Sequence, residues 1–402
     1  MNFSNLLSYT KAVAGIVHGC RAFGGPLMVS LSLTNRCNIR CIHCYFYSPH
    51  GEHPNYNLLR LARQTDCELP DNNYIAEQQK LDMDLQRAET LIDEIVKMGT
   101  CQICLVGKGE VFVNKNAIDL VARIKHSGCR CHTCTNGILL NTDMIDELIK
   151  MKFDEVRFSV MAGTDEMYLR THPGVKDNTF YNLKQNLLCL SRRKSELGVK
   201  YPEVSLVYIV IGENYNGLFE FAEFADLVKA DRVFFNPFDD VGDPGLMKLA
   251  PTKEQSDFVK KEILLVKDYL EARKIKHNIL NFLNVFREQL NTTELYKLIP
   301  CYYGWLAALI DPDGVVNPCC RCYSSPGNIY EKSFKDIWYS PSYNQFRKIS
   351  SVINVTHTFP EGCDCNSCAN HAANLRAYKL LNPLKGNSRQ IKLLSSNLSS
   401  VD

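Results

Sequence analysis

Six short β-rich segments alternate with helical patterns between residues 26 and 237, and this alternation restricts the fold more than any other feature of the sequence. Because strands that alternate with helices are typical of a parallel sheet, we expect an α/β fold with a partial (β/α)6 TIM-like barrel. The expected strands are Leu27–Leu33, Gln102–Val106, Arg130–Thr135, Glu155–Val160, Val204–Ile211 and Arg232–Asn236. The expected helices lie near residues 84–98, 115–127, 142–151, 179–197 and 216–229.

The rest of the sequence divides around this barrel. We expect an N-terminal helix in residues 1–25, the barrel in 26–238 with a polar insertion at 50–80, and a helical linker in 239–300. A small C-terminal domain of a β-hairpin and helices is expected in 301–385, where Asp313-Gly314 is a typical hairpin turn. The Asn- and Ser-rich residues 386–402 are expected to be a disordered tail.

The N-terminal segment and the charge balance limit the possible partners. The apolar run at 12–20 is preceded closely only by Lys11 and interrupted by His18, which favours a docking helix over a secretion signal. Its apolar face would be formed by Leu6, Leu7, Val13, Ile16 and Val17. With 46 basic and 44 acidic residues, the chain has no clear charge pattern for binding nucleic acid. No apolar run is long enough to span a membrane, so we expect a cytoplasmic protein.

Eighteen cysteines in 402 residues are several times the ordinary usage, and they need a chemical reason. A long chain without a secretion signal is not a typical disulfide scaffold, so metal ligation is the more economical explanation. Cys37, Cys41 and Cys44 are spaced so that three thiolates can hold one cubane and leave its fourth iron open. Zinc binding or simple burial are the alternatives.

This CxxxCxxC loop after the first strand resembles that of the radical S-adenosylmethionine (SAM) superfamily. The resemblance implies a [4Fe–4S] cluster that reductively cleaves SAM to a 5′-deoxyadenosyl radical, with an electron donor such as flavodoxin or ferredoxin. Further residues match positions that contact SAM in similar proteins. They are Gly107, Gly109 and Glu110 after the second strand, Asn136 after the third, Ser159 at the end of the fourth, and Arg170 in the loop that follows. Glu110 would accept the SAM amine, whereas Ser159 and Arg170 could equally be a helix cap and a surface cation.

A second group of cysteines lies near the C-terminus. Cys301 and Cys319 flank the hairpin, and Cys365 and Cys368 follow downstream. This spacing resembles the SPASM and twitch domains of radical SAM enzymes, which implies one auxiliary [4Fe–4S] cluster, with structural zinc as the alternative. The remaining thiols nearby would be spare, alternative ligands or hydrogen donors, and they are Cys320, Cys322 and Cys363.

Three functions are compatible with this pattern. We expect a radical SAM oxidoreductase that oxidises or epimerises a sugar, cyclitol or other small alcohol. The first alternative is a maturase that modifies a peptide or protein, and the second is a non-enzymatic iron–sulfur electron carrier. A simple carrier would not need the SAM-type residues around Glu110 and Asn136, which counts against the second alternative.

Overall fold

The computed structural model of the chain describes residues 3–51, 77, 79–287, 292–322, 324–366 and 368–382. Most of the predicted insertion at 50–80 and the predicted tail at 386–402 lie outside these residues.

Within the described part of the chain, ten strands form a single sheet. In chain order, they are β1 (Met28–Leu31), β2 (Gln102–Leu105), β3 (Arg130–Thr135), β4 (Glu155–Ser159), β5 (Glu203–Val210), β6 (Arg232–Pro237), β7 (Lys276–His277), β8 (Ala307–Ile310), β9 (Val315–Asn317) and β10 (Gly327–Asn328). Strands β1 to β7 are neighbours in chain order and run parallel, as expected for a partial barrel. The α/β fold class predicted from the sequence is therefore confirmed.

The helices of the described residues also follow the predicted rhythm through the barrel. In chain order, they are α1 (Phe3–His18), α2 (Leu85–Lys97), α3 (Ala117–His126), α4 (Thr142–Lys150), α5 (Asp165–Thr171), α6 (Thr179–Glu196), α7 (Leu218–Leu227), α8 (Pro244–Met247), α9 (Lys253–Ala272), α10 (Ile279–Arg287), α11 (Thr292–Tyr296), α12 (Tyr303–Leu306), α13 (Phe334–Trp338), α14 (Pro341–Ser350), α15 (Ile353–Thr356) and α16 (His371–Leu381). A 3-10 turn, Val111–Val113, follows β2. The short helix α5 was not predicted.

Local sequence explains where several barrel helices begin. Asp84 caps α2 by accepting a hydrogen bond from the backbone N–H of Arg87, and Asn141 caps α4 in the same way. Thr252 and Gln255 form a reciprocal capping box at the start of α9. The buried faces of these helices pack against one face of the sheet to form the main core.

The predicted hairpin forms, with β8 and β9 antiparallel, but it does not stand apart from the barrel. Strand β8 pairs in parallel with β1, with Met28 opposite Ala307. The C-terminal segment therefore continues the barrel sheet beyond β1. At the other edge, the predicted linker is largely helical as expected, but it also supplies β7, which pairs with β6.

The N-terminal helix forms, but of its predicted docking face only Ile16 is buried. Ala12 and Ile16 are buried, whereas Leu6, Leu7 and Val17 are exposed. The Cβ that an alanine would add at Gly15 would lie 2.7 Å from the Trp305 ring, so this part of the helix makes the close contact. Among the described residues, no helix is long and apolar enough to cross a membrane.

Candidate functional site

The candidate site lies at the carboxyl ends of the parallel strands, where α/β proteins bind their ligands. The loop after β1 carries Cys37, Cys41 and Cys44. The loop after β2 carries the predicted segment from Gly107 to Glu110. The two loops are hydrogen bonded, since the N–H of Glu110 donates to the carbonyl of Arg36 over 2.9 Å. The sequence-predicted residues at these strand ends are therefore neighbours in space.

The three thiols of the first loop share one electrostatic environment. Burial raises the pKa of Cys41 well above its ordinary value, and the neighbouring Cys44 and Cys37 raise it further. Burial is also the main cause that raises the pKa values of Cys37 and Cys44, while Arg40 acts in the opposite direction. A bound metal would replace these protons, because metal ligation requires the thiolate.

No group of three or more His, Cys, Asp or Glu side chains is already arranged as a metal site among the described residues. The loop itself is fixed in several places. The N–H of Ile42 donates to the carbonyl of Thr171 over 3.1 Å, and the guanidinium of Arg40 lies 5.1 Å from the ring centre of Tyr47. The backbone hydrogen bond holds the loop against the residue Thr171, and the ring contact lies within the loop.

Glu110 lies beside this loop and is only 4% exposed. Its carboxylate accepts hydrogen bonds from the Thr135 hydroxyl at 2.6 Å, from the Asn136 N–H at 2.7 Å and from the Phe112 N–H at 3.2 Å. Burial raises its pKa, against these three hydrogen bonds. No cationic side chain among the described residues forms an ion pair with it. A buried carboxylate of this kind fits an ammonium group of a ligand.

The two predicted glycines have a packing role in the structure. A Cβ added to Gly107 would lie 1.9 Å from Oγ of Ser32, and one added to Gly109 would lie 2.4 Å from the Arg36 carbonyl oxygen. Both values are well inside van der Waals contact. The glycines thus allow the loop after β2 to pack directly on the segment that leads to Cys37.

Asn136 connects the third strand to the first cysteine loop. Its Nδ2 donates to Oδ1 of Asn38 over 2.7 Å, and its Oδ1 accepts from the N–H of Ile138. Since Asn38 directly follows Cys37, the side chain of Asn136 supports the loop that carries the cysteines. Its backbone N–H at the same time binds Glu110.

Of the two remaining predicted SAM contacts, Ser159 lies where it was predicted, at the end of the fourth strand, whereas Arg170 does not. Ser159 is the last residue of β4, opposite Val207 of β5, so it does not cap a helix. Arg170 was predicted in a loop, which is wrong, since it lies in the last turn of α5. Its guanidinium pairs with Glu166 at 3.0 Å and donates to the carbonyl of Glu213 at 3.3 Å. The helix forms because Thr164 caps it and Asp165 and Glu166 occupy its first turn.

The second group of cysteines surrounds one pocket. The four cysteines predicted as auxiliary ligands all line it, namely Cys301, Cys319, Cys365 and Cys368. Burial raises the pKa of each. The hydroxyl of Tyr296, in α11, lies 3.1 Å from Sγ of Cys368. The pocket wall is thus rich in thiols, and such a donor set suits an iron–sulfur cluster or zinc.

An ion pair connects this pocket to the barrel. Arg321, which lines the pocket, is buried and pairs with Asp239 just after β6. The carbonyl of Arg321 also accepts from the N–H of Asp364 over 2.7 Å. The second cysteine group is therefore held against the mouth of the barrel.

The three remaining thiols of this group lie close to the pocket or across from each other. Cys322 and Cys363 lie opposite each other in an antiparallel bridge and form a disulfide. Cys320 is a free and exposed cysteine, and Nδ2 of Asn370 lies 3.5 Å from its sulfur.

Three further residues at the first loop were missed by the sequence analysis. Tyr168, His172 and His43 are buried side by side, with the rings of Tyr168 and His172 stacked at 4.1 Å. His43 was visible inside the cysteine motif, but Tyr168 and His172 belong to the unpredicted helix α5 and its C-cap. Only the packing of α5 on the loop brings them together.

Comparison with known proteins assigns both halves of the site. Residues 31–225 match the family model of the radical SAM superfamily, and residues 301–369 match that of the SPASM iron–sulfur cluster-binding domain. Together, the two models cover about two thirds of the chain.

Relatives and solved structures extend the similarity over most of the chain. The tungsten-containing aldehyde ferredoxin oxidoreductase cofactor-modifying protein of Pyrococcus furiosus is 25% identical over 84% of this chain and 86% of its own. The antilisterial bacteriocin subtilosin biosynthesis protein AlbA of Bacillus subtilis is 22% identical over 90% of this chain and 71% of its own. The crystal structure of Streptococcus suis SuiB bound to precursor peptide SuiA has a TM-score of 0.57 at 16% identity, covering 90% of this chain and 80% of that one. The chain therefore belongs to the radical SAM superfamily and carries a SPASM domain, so its cofactors are a [4Fe–4S] cluster, SAM and an auxiliary iron–sulfur cluster.

Proposed function

We propose that this radical SAM enzyme modifies a peptide or protein substrate at an unactivated C–H bond. The observation that carries the proposal is the alignment of 90% of the chain, at 22% identity, with a protein of bacteriocin biosynthesis. The chain also shares its fold with a structure that contains a precursor peptide. The relative from Pyrococcus furiosus is named as a cofactor-modifying protein, which also fits the modification of a larger molecule.

The expectation of a sugar, cyclitol or other small alcohol as substrate is replaced by this proposal. It came from the resemblance of the second cysteine group to an abbreviated auxiliary domain. The relatives favour the peptide alternative instead, and the matched domain is SPASM. The subtype of the reaction is not fixed by these similarities, so oxidation, cross-linking and other peptide modifications are all included.

In this proposal, Cys37, Cys41 and Cys44 hold the SAM-cleaving cluster, and Glu110 accepts the SAM amine. Three arguments support the assignment. The thiols lie close enough to raise each other's pKa values, Glu110 is a buried carboxylate without an ion-pair partner among the described residues, and Asn136 joins the two through Asn38 and the Glu110 carboxylate. A reduced cluster held by these thiolates would supply the electron for cleavage of SAM, and the product of that cleavage would abstract the substrate hydrogen.

The remaining residues of the chain orient and separate these centres. Cys301, Cys319, Cys365 and Cys368 would hold the auxiliary cluster, because they line one pocket. The pair of Arg321 with Asp239 would keep this pocket at the barrel mouth, next to the space in which a peptide could enter. A one-electron donor of the flavodoxin or ferredoxin class would reduce the first cluster.

A fractionation experiment tests the substrate class. The anaerobically reconstituted enzyme, with SAM and reductant, is incubated with the peptide fraction of an extract of the native organism. Formation of 5′-deoxyadenosine should rise, and prior digestion of the fraction with a nonspecific protease should abolish the rise. The matched control is the variant in which Cys37, Cys41 and Cys44 are all replaced by Ala. It should form no 5′-deoxyadenosine with the intact or with the digested peptide fraction.

The opposite result is equally clear. If the stimulation survives protease digestion and follows the sugar fraction of the same extract, the peptide proposal is wrong and the small-alcohol hypothesis returns. Mass spectrometry of the peptide fraction before and after incubation then identifies the mass change that the enzyme makes.

A further inference from the structure

Helix α5 packs directly on the loop that carries the first three cysteines. The N–H of Ile42 donates to the carbonyl of Thr171, the last residue of α5. One residue further along each segment, the rings of His43 and His172 meet edge to face, with their centres 6.0 Å apart. The position of α5 is thus linked to that of the cysteine loop by a backbone hydrogen bond and a ring contact.

Tyr168 is the residue of α5 that these contacts fix most firmly. Its ring is fully buried, stacked on His172 at 4.1 Å and packed against Phe180 at 5.2 Å. His172 is held in turn, because its ring nitrogen Nδ1 lies 3.1 Å from the carbonyl oxygen of Tyr168. The tyrosine ring therefore has little freedom to move.

The hydroxyl of Tyr168 has no hydrogen-bond partner within the described residues. Buried hydroxyl groups nearly always have one, and an exception needs an explanation, such as a catalytic role or a bound water or ion. By contrast, the equally buried Tyr208 donates its hydroxyl to the carbonyl of Asn214 over 2.6 Å. The two tyrosines differ in this respect although both lie in the barrel core.

The surroundings of the Tyr168 hydroxyl identify what it could bind. Burial, followed by the nearby Cys41, Glu110 and Cys37, raises its pKa, so it keeps its proton at neutral pH and can donate it. The carboxylate of Glu110 already accepts three hydrogen bonds from its own neighbours, and its remaining acceptor site is the one proposed for the SAM amine. Cys41 and Cys37 are close enough to act on the Tyr168 hydroxyl electrostatically, so the sulfur atoms of a cluster held there would be acceptors near it.

We propose that Tyr168 is a positioning residue that donates its hydroxyl proton in a hydrogen bond to a sulfur atom of the cluster held by Cys37, Cys41 and Cys44. The inference rests on the assignment of these three ligands but not on the identity of the substrate. A hydrogen bond to cluster sulfur stabilises the more negative, reduced state. Tyr168 thus makes the cluster easier to reduce by its physiological donor.

The test compares Tyr168→Phe with the matched control Tyr208→Phe in the reconstituted holoenzyme without substrate. Each variant is titrated with a low-potential reductant, following the EPR signal that changes when SAM is added. Tyr168→Phe should shift the midpoint potential of that signal to more negative values, while Tyr208→Phe, which also loses a buried hydroxyl, should leave it unchanged. Iron content should stay the same in both variants.

Several results would overturn the inference, and they are separable from failure of the site assignment. An unchanged potential in Tyr168→Phe, with weaker SAM binding instead, would mean that the hydroxyl binds SAM and not the cluster. Absence of any SAM-responsive cluster signal in the wild-type enzyme would refute the assignment of Cys37, Cys41 and Cys44 itself. If Tyr168→Phe does not fold, difluorotyrosine incorporated at position 168 keeps the hydroxyl and makes it a stronger donor. The potential should then shift to less negative values, and a shift in the other direction or none would contradict the proposal.

Discussion

Replacing Glu110 by glutamine should weaken SAM binding while leaving the iron content unchanged. The substitution keeps the size of the side chain but removes the charge that would pair with the SAM ammonium group. Hydrogen bonds to charged groups contribute about 1.5–3 kcal/mol, and each 1.4 kcal/mol corresponds to about tenfold in affinity. The expected loss of affinity is therefore about 10- to 150-fold.

The same substitution also disturbs local hydrogen bonds, so a control is needed. The Glu110 carboxylate accepts from the Asn136 N–H and from the Thr135 hydroxyl, and the glutamine amide group cannot accept from both sides. Thr135→Val removes one of these hydrogen bonds and keeps the charge. It should reduce SAM affinity by less than about tenfold, because it removes only one neutral hydrogen-bond donor.

Equilibrium dialysis of labelled SAM against the reconstituted proteins gives both affinities. An affinity of Glu110→Gln equal to that of the wild-type enzyme would remove this residue from the SAM site. Equal losses in Glu110→Gln and Thr135→Val would show that local packing, and not the charge, determines the effect.

Three further perturbations test other parts of the account. Cys319→Ala combined with Cys365→Ala should lower the iron content from about eight to about four per chain and leave reductive SAM cleavage intact. If the wild-type protein instead contains about four irons and stoichiometric zinc, the second site is a structural zinc site. Asp239→Asn should lower the free energy of unfolding by about 1–3 kcal/mol in denaturant titration, since it leaves the buried Arg321 without its carboxylate. An unchanged free energy of unfolding would mean that the ion pair does not contribute to stability. Arg347→Met should lower the free energy of unfolding by about 2–4 kcal/mol in the same assay. The reason is that the buried guanidinium donates to the Gly304 and Trp338 carbonyls at 2.9 and 2.8 Å. A decrease below about 1 kcal/mol would contradict this.

The barrel elements could be predicted because their signals are local. Strand β3, Arg130–Thr135, matches its predicted bounds, and α6 begins at the predicted Thr179. Buried and less buried positions alternate in β3, whereas Leu183, Leu187 and Leu190 of α6 recur at helical spacing, and both patterns are readable within a short window. The capping residues at the helix starts add a second local signal.

Other features depend on contacts between distant segments, and the sequence pattern does not contain them. The pairing of β8 with β1 joins Ala307 to Met28, and no local signal in either strand specifies the other. The exposed face of α1 was mispredicted because periodicity shows that a helix is amphipathic, but not which neighbour covers it. Helix α5 is too short to show a helical repeat in the sequence. Arg170 was therefore expected in a loop, although it lies in this helix.

The sequence predicted which cysteines belong to the second site better than it predicted how they are arranged in space. Spacing brought Cys301 and Cys368 into one predicted group, and both line the same pocket. The disulfide between Cys322 and Cys363 was not predicted, because the two residues are 41 positions apart and the bridge that aligns them is formed only by folding.

The central claim is that Cys37, Cys41 and Cys44 hold the cluster that cleaves SAM. The most direct measurement is 5′-deoxyadenosine formation by the anaerobically reconstituted variant in which all three are replaced by Ala, with SAM and a strong reductant. The account predicts loss of about four irons per chain and no 5′-deoxyadenosine, while the auxiliary cluster remains. Continued 5′-deoxyadenosine formation at the wild-type rate would contradict it.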